Sequence, residues 1–165
     1  MFLRRTIRFI LFAFICFGTL LSSQAQVYDF VVHDRESGIA GIQINDITQD
    51  QQGCLWIATN TGVSRFDGKT FTNYHEKEGL GENICSTIFC DKQGQVWVGH
   101  QSAGVSVISS GSIKVISETD GLANNEVHDI FQDSDGEIWV ATFGGVSVSE
   151  GDGWKSITYK NDPEK

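Results

Sequence analysis

Three aspartates, Asp50, Asp91 and Asp133, each stand six residues ahead of a tryptophan, Trp56, Trp97 and Trp139. Carboxylates can hold a cation and indoles can stack on a sugar ring, so metal and saccharide binding are the chemistries to weigh first. Asp133-Ser134-Asp135-Gly136 starts like a calcium loop, but the glutamate that an EF-hand needs at its twelfth position is missing. Asp followed three residues later by glycine is instead what a type I turn prefers, and Gly53, Gly94 and Gly136 supply it. Each tryptophan sits between apolar neighbours inside a short hydrophobic run, which marks packing rather than a solvent-facing platform.

Hydrolytic and phosphoryl chemistry find little support. A sialidase-like site needs an arginine cluster, and beyond residue 25 only Arg35 and Arg65 are present. A glycosidase carboxylate pair stays open, because acids are abundant and sequence does not set their separations. His33-Asp34 and His128-Asp129 have the His-acid order of a kinase phosphoacceptor. That site lies on a helix, whereas His128 falls on an expected strand with no Gly-rich ATP-binding segment after it. The histidines at 33, 75, 100 and 128 show no ligand spacing, and Cys-x-x-Cys does not occur. The expectation is a chain with no catalytic residue, no metal and no cofactor of its own.

The elements that hold these residues are read from a repeat. Leu55-Trp56-Ile57 returns as Val96-Trp97-Val98 and as Ile138-Trp139-Val140, at spacings of 41 and 42 residues. Gly62, Gly104 and Gly145 follow the tryptophans in turn. The first unit reads as strands over Ile44–Gln49, Leu55–Thr59, Val63–Phe66 and Phe71–His75, with Asp67-Gly68-Lys69 as a tight hairpin. The second has Cys85–Cys90, Val96–His100, Val105–Ile108 and Ile113–Ser117; the third has Val127–Gln132, Ile138–Thr142, Val146–Ser149 and Trp154–Tyr159. A four-stranded unit of about 40 residues is one blade of a β-propeller. Phe30 lies 41 residues before Phe71, so Val27–Val32 reads as a lone fourth strand. The expected fold is all-β: a partial propeller of three four-stranded blades plus a lone N-terminal strand. Residues 26–43 carry that strand and its junction, 44–83, 84–125 and 126–160 are the blades, and 161–165 is a truncated tail.

The first 25 residues read as a signal peptide. Arg4, Arg5 and Arg8 precede an apolar run from Phe9 to Leu21, followed by Ser23-Gln24-Ala25 as a cleavage site. The run is short for a spanning helix. Cleavage would remove three arginines and no acid, taking the formal charge from −9 to −12. So acidic a chain excludes nucleic acid and anionic lipid as partners, and contact with a membrane would come only through a larger parent. Of Cys54, Cys85 and Cys90, the last two should face opposite sides of one strand and not bridge. Cys85 takes the place of Ile44 and Val127, a buried position, and Cys54 falls near a turn.

The stretch Asp50 to Gly68, Asp-x-x-Gly-x-Leu-Trp-Ile-x-Thr-x-x-Gly-Val-Ser-Arg-Phe-Asp-Gly, closely resembles the two-component regulator propeller repeat. Gly79-Leu80-x-x-Asn83 and Gly121-Leu122-x-x-Asn125 resemble that family's blade junction. The second copy departs from the pattern: Gly99 to Gly104 is one residue longer and lacks the usual threonine. The resemblance implies the periplasmic sensing part of a hybrid sensor histidine kinase, anchored in the inner membrane through the parent, with carbohydrate breakdown products as the usual ligands. An exported scaffold or binding propeller assembled from several chains is the alternative, and a propeller glycan hydrolase is a more distant one. Expected partners are a small molecule or oligosaccharide, and the missing blades of the parent or other copies of this chain.

In an up-and-down blade the second-to-third loops and the junctions share one face. There the repeats diverge, which singles out Asn60, His100, Gln101 and Phe143 as candidate ligand-binding residues. Asp67, Lys69 and Asp152 lie on the opposite, more repetitive face.

Overall fold

The Asp-x-x-Gly turn reverses the chain directly before each apolar run, so every unit is driven into an antiparallel meander. A computed structural model describes residues 31–158. β1 (Ile44–Gln49), β2 (Leu55–Thr59), β3 (Gly62–Phe66) and β4 (Phe71–Tyr74) form one sheet in chain order. β5 (Cys85–Cys90), β6 (Val96–His100), β7 (Val105–Ser109) and β8 (Ser112–Ile116) form the second. β9 (Val127–Gln132), β10 (Ile138–Thr142), β11 (Gly145–Glu150) and β12 (Gly153–Thr158) form the third. The expected strands hold to within one residue at each end. The expected signal peptide, residues 1–25, lies outside the described residues. So does the lone strand, save for residues 31 and 32, which carry no strand.

The repeated aspartate does more than shape a turn. Asp91 Oδ1 accepts the backbone N–H groups of Gln93 (2.9 Å) and Gln95 (2.8 Å), and its Oδ2 accepts the Trp97 indole N–H at 2.8 Å. Asp50 braces Trp56 (2.9 Å) and Asp133 braces Trp139 (2.8 Å) in the same way. The sequence points to the turn but not to the indole, which is six residues away on the next strand. The carboxylate locks the ring's polar edge and so leaves its apolar body free to pack.

That body fills the space between blades. β1 lies against β5 and β5 against β9, so the first strand of each blade is innermost. Trp56, Ala58 and Val63 of the first blade pack with Leu80, Cys85, Ile88 and Val98 toward the second. Trp97, Val105 and Ile116 of the second pack with Leu122, Val127, Ile130 and Val140 toward the third. Cys54, Cys85 and Cys90 are free thiols, and burial, aided by Glu82, pushes the Cys85 thiol up to about 12. Where the other blades have Ala58 and Ala141, the second has Gly99. A Cβ there would stand 2.6 Å from Thr87 Cγ2 and 2.7 Å from Val127 Cγ1, so the tighter seam requires glycine.

The junctions repeat as well. Single 3₁₀ turns at Glu76–Glu78 and Glu118–Asp120 end on Gly79 and Gly121, both with φ of 111°. Asn83 Oδ1 accepts Glu76 N–H while Glu76 Oε1 accepts Asn83 N–H, and Asn125 and Glu118 do the same. This clasp accounts for the Gly-Leu-x-x-Asn spacing, and it drives Leu80 and Leu122 into the core.

Candidate ligand site

A β-bulge at the same point of each innermost strand begins the site. Pairing steps from Ile44 to Asp46, from Cys85 to Thr87 and from Val127 to Asp129. Asn45, Ser86 and His128 are therefore left out of the ladders, and a bulge of this kind re-aims its side chain. All three line a concave space of about 530 Å³, together with Gln43, Ile84 and Glu126 just before the strands and Gln101 from the β6–β7 loop. The wall faces the side on which the junctions and the second-to-third loops emerge.

Backbone hydrogen bonds tie the loops to this wall. Asn60 N–H donates to the Gln43 carbonyl (3.3 Å), Gln101 N–H to Ile84 (3.3 Å) and Phe143 N–H to Glu126 (2.9 Å). Asn60, Gln101 and Phe143 thus occupy one repeated position, and each fixes one residue at the rim. Gln101 is exposed and reaches the concavity, Asn60 is half-buried, and Phe143 is exposed at the β10–β11 turn without lining the space.

His100 belongs elsewhere. Expected on the loop, it is the last residue of β6 and is fully buried, so it has no surface to offer a ligand. It stands where the other blades have Thr59 and Thr142, whose hydroxyls donate to the carbonyls of Gly62 (2.7 Å) and Gly145 (2.8 Å). His100 has no hydroxyl to make that bond, and the imidazole takes another task. Its Nε2 is 2.7 Å from Ser106 Oγ, which also accepts Gly81 N–H. In the other blades the matching Ser64 and Ser147 pair with Asn73 and Ser156, but the second blade has Val115 there. His100 supplies the partner that Val115 cannot. Burial pushes its pKa down, against the pull of the Glu82 and Glu76 carboxylates. Its Nδ1 has no partner among the described residues.

Sequence reasoning missed Gln43, Asn45, Ser86, Glu126 and His128. Their signal was available: they are the polar, non-repeating residues at the mouth of an otherwise repetitive strand. Asn45 Nδ2 donates to the Cys85 carbonyl at 2.7 Å and Ser86 Oγ to the Val127 carbonyl at 2.6 Å, each spanning two blades. His128 Nε2 lies 3.9 Å from Glu126 Oε1, and both are well exposed. The wall offers amide, hydroxyl, imidazole and carboxylate groups over a small apolar patch at Ile44 and Ile84. That mixture suits a neutral, hydroxyl-rich ligand. Among the described residues no group of three or more His, Cys, Asp and Glu could hold a metal ion.

The repeat matches a known family. The family described as two component regulator propeller matches residues 38–61 and 121–144, so the chain carries that repeat. No curated protein matches the chain. Among solved structures it is similar to the extracellular domain of a protein described as a hybrid two component system from B. thetaiotaomicron. The TM-score is 0.74 at 24% identity, over 81% of this chain and 20% of the other. A second such extracellular domain from the same organism gives a TM-score of 0.64 at 21% identity, over 82% and 21%. Virginiamycin B lyase from Staphylococcus aureus gives 0.59 at 18% identity, over 72% and 42%. These likenesses establish the propeller fold, and the chain spans about a fifth of the length of the first two.

Proposed function

We propose that this chain is part of an exported, periplasmic propeller with which a two-component signalling protein senses a ligand. The polar wall at the mouth of its innermost strands would be its share of the ligand pocket, and the ligand class is an oligosaccharide. One observation carries the reading. At three equivalent bulges the fold repeats, while the side chains differ: Asn45, Ser86 and His128, behind Gln43, Ile84 and Glu126. Asn45 and Ser86 also tie neighbouring blades together, but among the described residues His128, Gln43 and Glu126 make no such bond between blades and are free to face a ligand. Recognition calls for a different group at each point of a bound molecule. The repeat family and the likeness to extracellular domains of two-component systems support the same reading. The chain itself performs no catalysis on this account; it binds, and binding shifts the parent between signalling states.

The test is a screen of the protein carrying the whole propeller against an oligosaccharide panel, read by thermal shift and confirmed by calorimetry. A saturable hit is expected, with release of the ligand unchanged in covalent structure. Turnover of the hit, or a panel with no saccharide that binds, would overturn the proposal.

A further inference from the structure

Among the described blades, only the second ends its middle strand in a group that titrates. Thr59 and Thr142 stand there in the other two, and their hydroxyls keep their protons at every ordinary pH. His100 takes their place, and the loop after it, Gln101-Ser102-Ala103, brings Gln101 to the wall.

The hydrogen bonds assign the proton on the ring. Ser106 Oγ accepts Gly81 N–H at 3.0 Å, as Ser64 accepts Ala40 N–H and Ser147 accepts Ala123 N–H, both at 2.8 Å. Its single proton then goes to His100 Nε2, as the Ser64 proton goes to Asn73 Oδ1. The proton of the neutral ring is therefore on Nδ1, the one buried donor here without a partner among the described residues. A second proton makes matters worse. Nε2–H would need the Ser106 oxygen as its acceptor, and the Ser106 O–H would lose its own. A full charge would also stand where no surface is exposed.

Two carboxylates pull on the ring, Glu82 ahead of Glu76, and both are engaged. Glu76 Oε1 holds Asn83 N–H (3.1 Å) in the junction clasp. Glu82 Oε2 holds the loop itself, through Ser102 N–H (2.8 Å) and Ser102 Oγ (3.0 Å). From β5 the group paired with His100 is the Cys85 thiol, which burial keeps protonated, and β7 presents Ser106.

We infer that His100 is a proton-operated latch on the β6–β7 loop. Neutral, it holds Ser106 and leaves Glu82 to Ser102. Protonated, it draws Glu82 away from Ser102, and the loop leaves the wall with Gln101. Opening lets the ring meet water, so the open form takes the proton more readily than the closed one. The closed loop is thus fully stable above the ordinary histidine value of about 6.5 and loses stability as pH falls below it. The latch's bearing on recognition rests on the reading of the wall as a ligand site: a ligand held by Gln101 would keep the latch shut and the proton off.

Hydrogen–deuterium exchange read by mass spectrometry tests the latch, on the protein carrying the whole propeller and without ligand. Corrected for intrinsic rates, opening of the 100–104 segment should rise about tenfold from about pH 7.5 to about pH 5. His100→Thr and His100→Gln should be flat over that range, and Glu82→Gln should rise less steeply than the wild type. The His100→Gln variant keeps an amide oxygen for the Ser106 proton and carries the comparison if His100→Thr does not fold. A flat wild type, or any of these variants rising as steeply as the wild type, would overturn the inference. Because no ligand enters the experiment, a saccharide panel without a hit leaves its outcome standing, and the two readings fail separately.

Discussion

Asp91→Ala should cost the second blade its rigidity, and the cost can be worked from the geometry. Asp91 is buried and accepts three N–H groups, from Gln93 (2.9 Å), Gln95 (2.8 Å) and Trp97 (2.8 Å). The two backbone donors lie in an exposed turn and can turn to water. The Trp97 indole is buried, and leaving such a donor unsatisfied costs about 1–3 kcal/mol. Loss of charge-assisted bonds in the turn adds about 1 kcal/mol, for a total of about 3 kcal/mol. Domains of this size are stable by only about 5–15 kcal/mol, so the loss is large. Asp91→Asn should be milder: its oxygen keeps the turn while its amide faces the indole donor. Urea unfolding followed by far-UV circular dichroism gives the free energies, and a cycle with Trp97→Phe isolates the brace. A coupling of about 1.5 kcal/mol is expected between the two positions. An Asp91→Ala variant within about 0.5 kcal/mol of wild type, or a cycle with no coupling, would refute the brace.

Three other perturbations follow from the same geometry. The Trp139 indole holds the Asp133 carboxyl below its usual value; for Asp50, burial opposes but the Trp56 indole and the Cys54 and Gln52 amides prevail. Depressed folded pKa values mean stability that is full above the unfolded value and lost as pH falls through the folded one. The urea midpoint should therefore drop as pH is lowered below about 4, and Asp133→Asn should flatten that drop. His100→Thr restores the repeat's residue but strands Ser106, and should cost about 2 kcal/mol by urea unfolding. Adding Val115→Ser should recover about half of it by supplying the partner that Ser156 gives Ser147. Gly99→Ala should destabilise by about 1–3 kcal/mol, because the added methyl meets Thr87 and Val127 across the seam; a neutral effect in thermal melts would show that the blades can separate freely.

The fold was legible because the repeat is long and its punctuation strict. Asp-x-x-Gly, the apolar Trp-centred run and the later glycine fix strand, turn and strand at the same offsets three times over. The site was less legible. Loop divergence pointed to Asn60, Gln101 and Phe143, which share one backbone position, and to His100, which does not. His100 misled because a polar residue beside an insertion looks like a loop residue, whereas its role follows from Val115, a residue on a different strand. The bulge residues Asn45, Ser86 and His128 differ from repeat to repeat, but that they leave the ladder and turn toward one space is not written in strand periodicity. It appears only when the pairing of two strands is compared.

The central claim is that the bulge-lined wall recognises a ligand. The direct measurement is calorimetric titration of an oligosaccharide hit against the protein carrying the whole propeller, with Gln101→Ala and Glu126→Gln on the wall and Asp67→Ala and Lys69→Ala on the opposite face. Each wall substitution should weaken binding by about 1 kcal/mol for the hydrogen bond removed, about fivefold in Kd, and the opposite pair should leave it unchanged. Unchanged affinity in both wall variants, with loss in the opposite pair, would contradict the account.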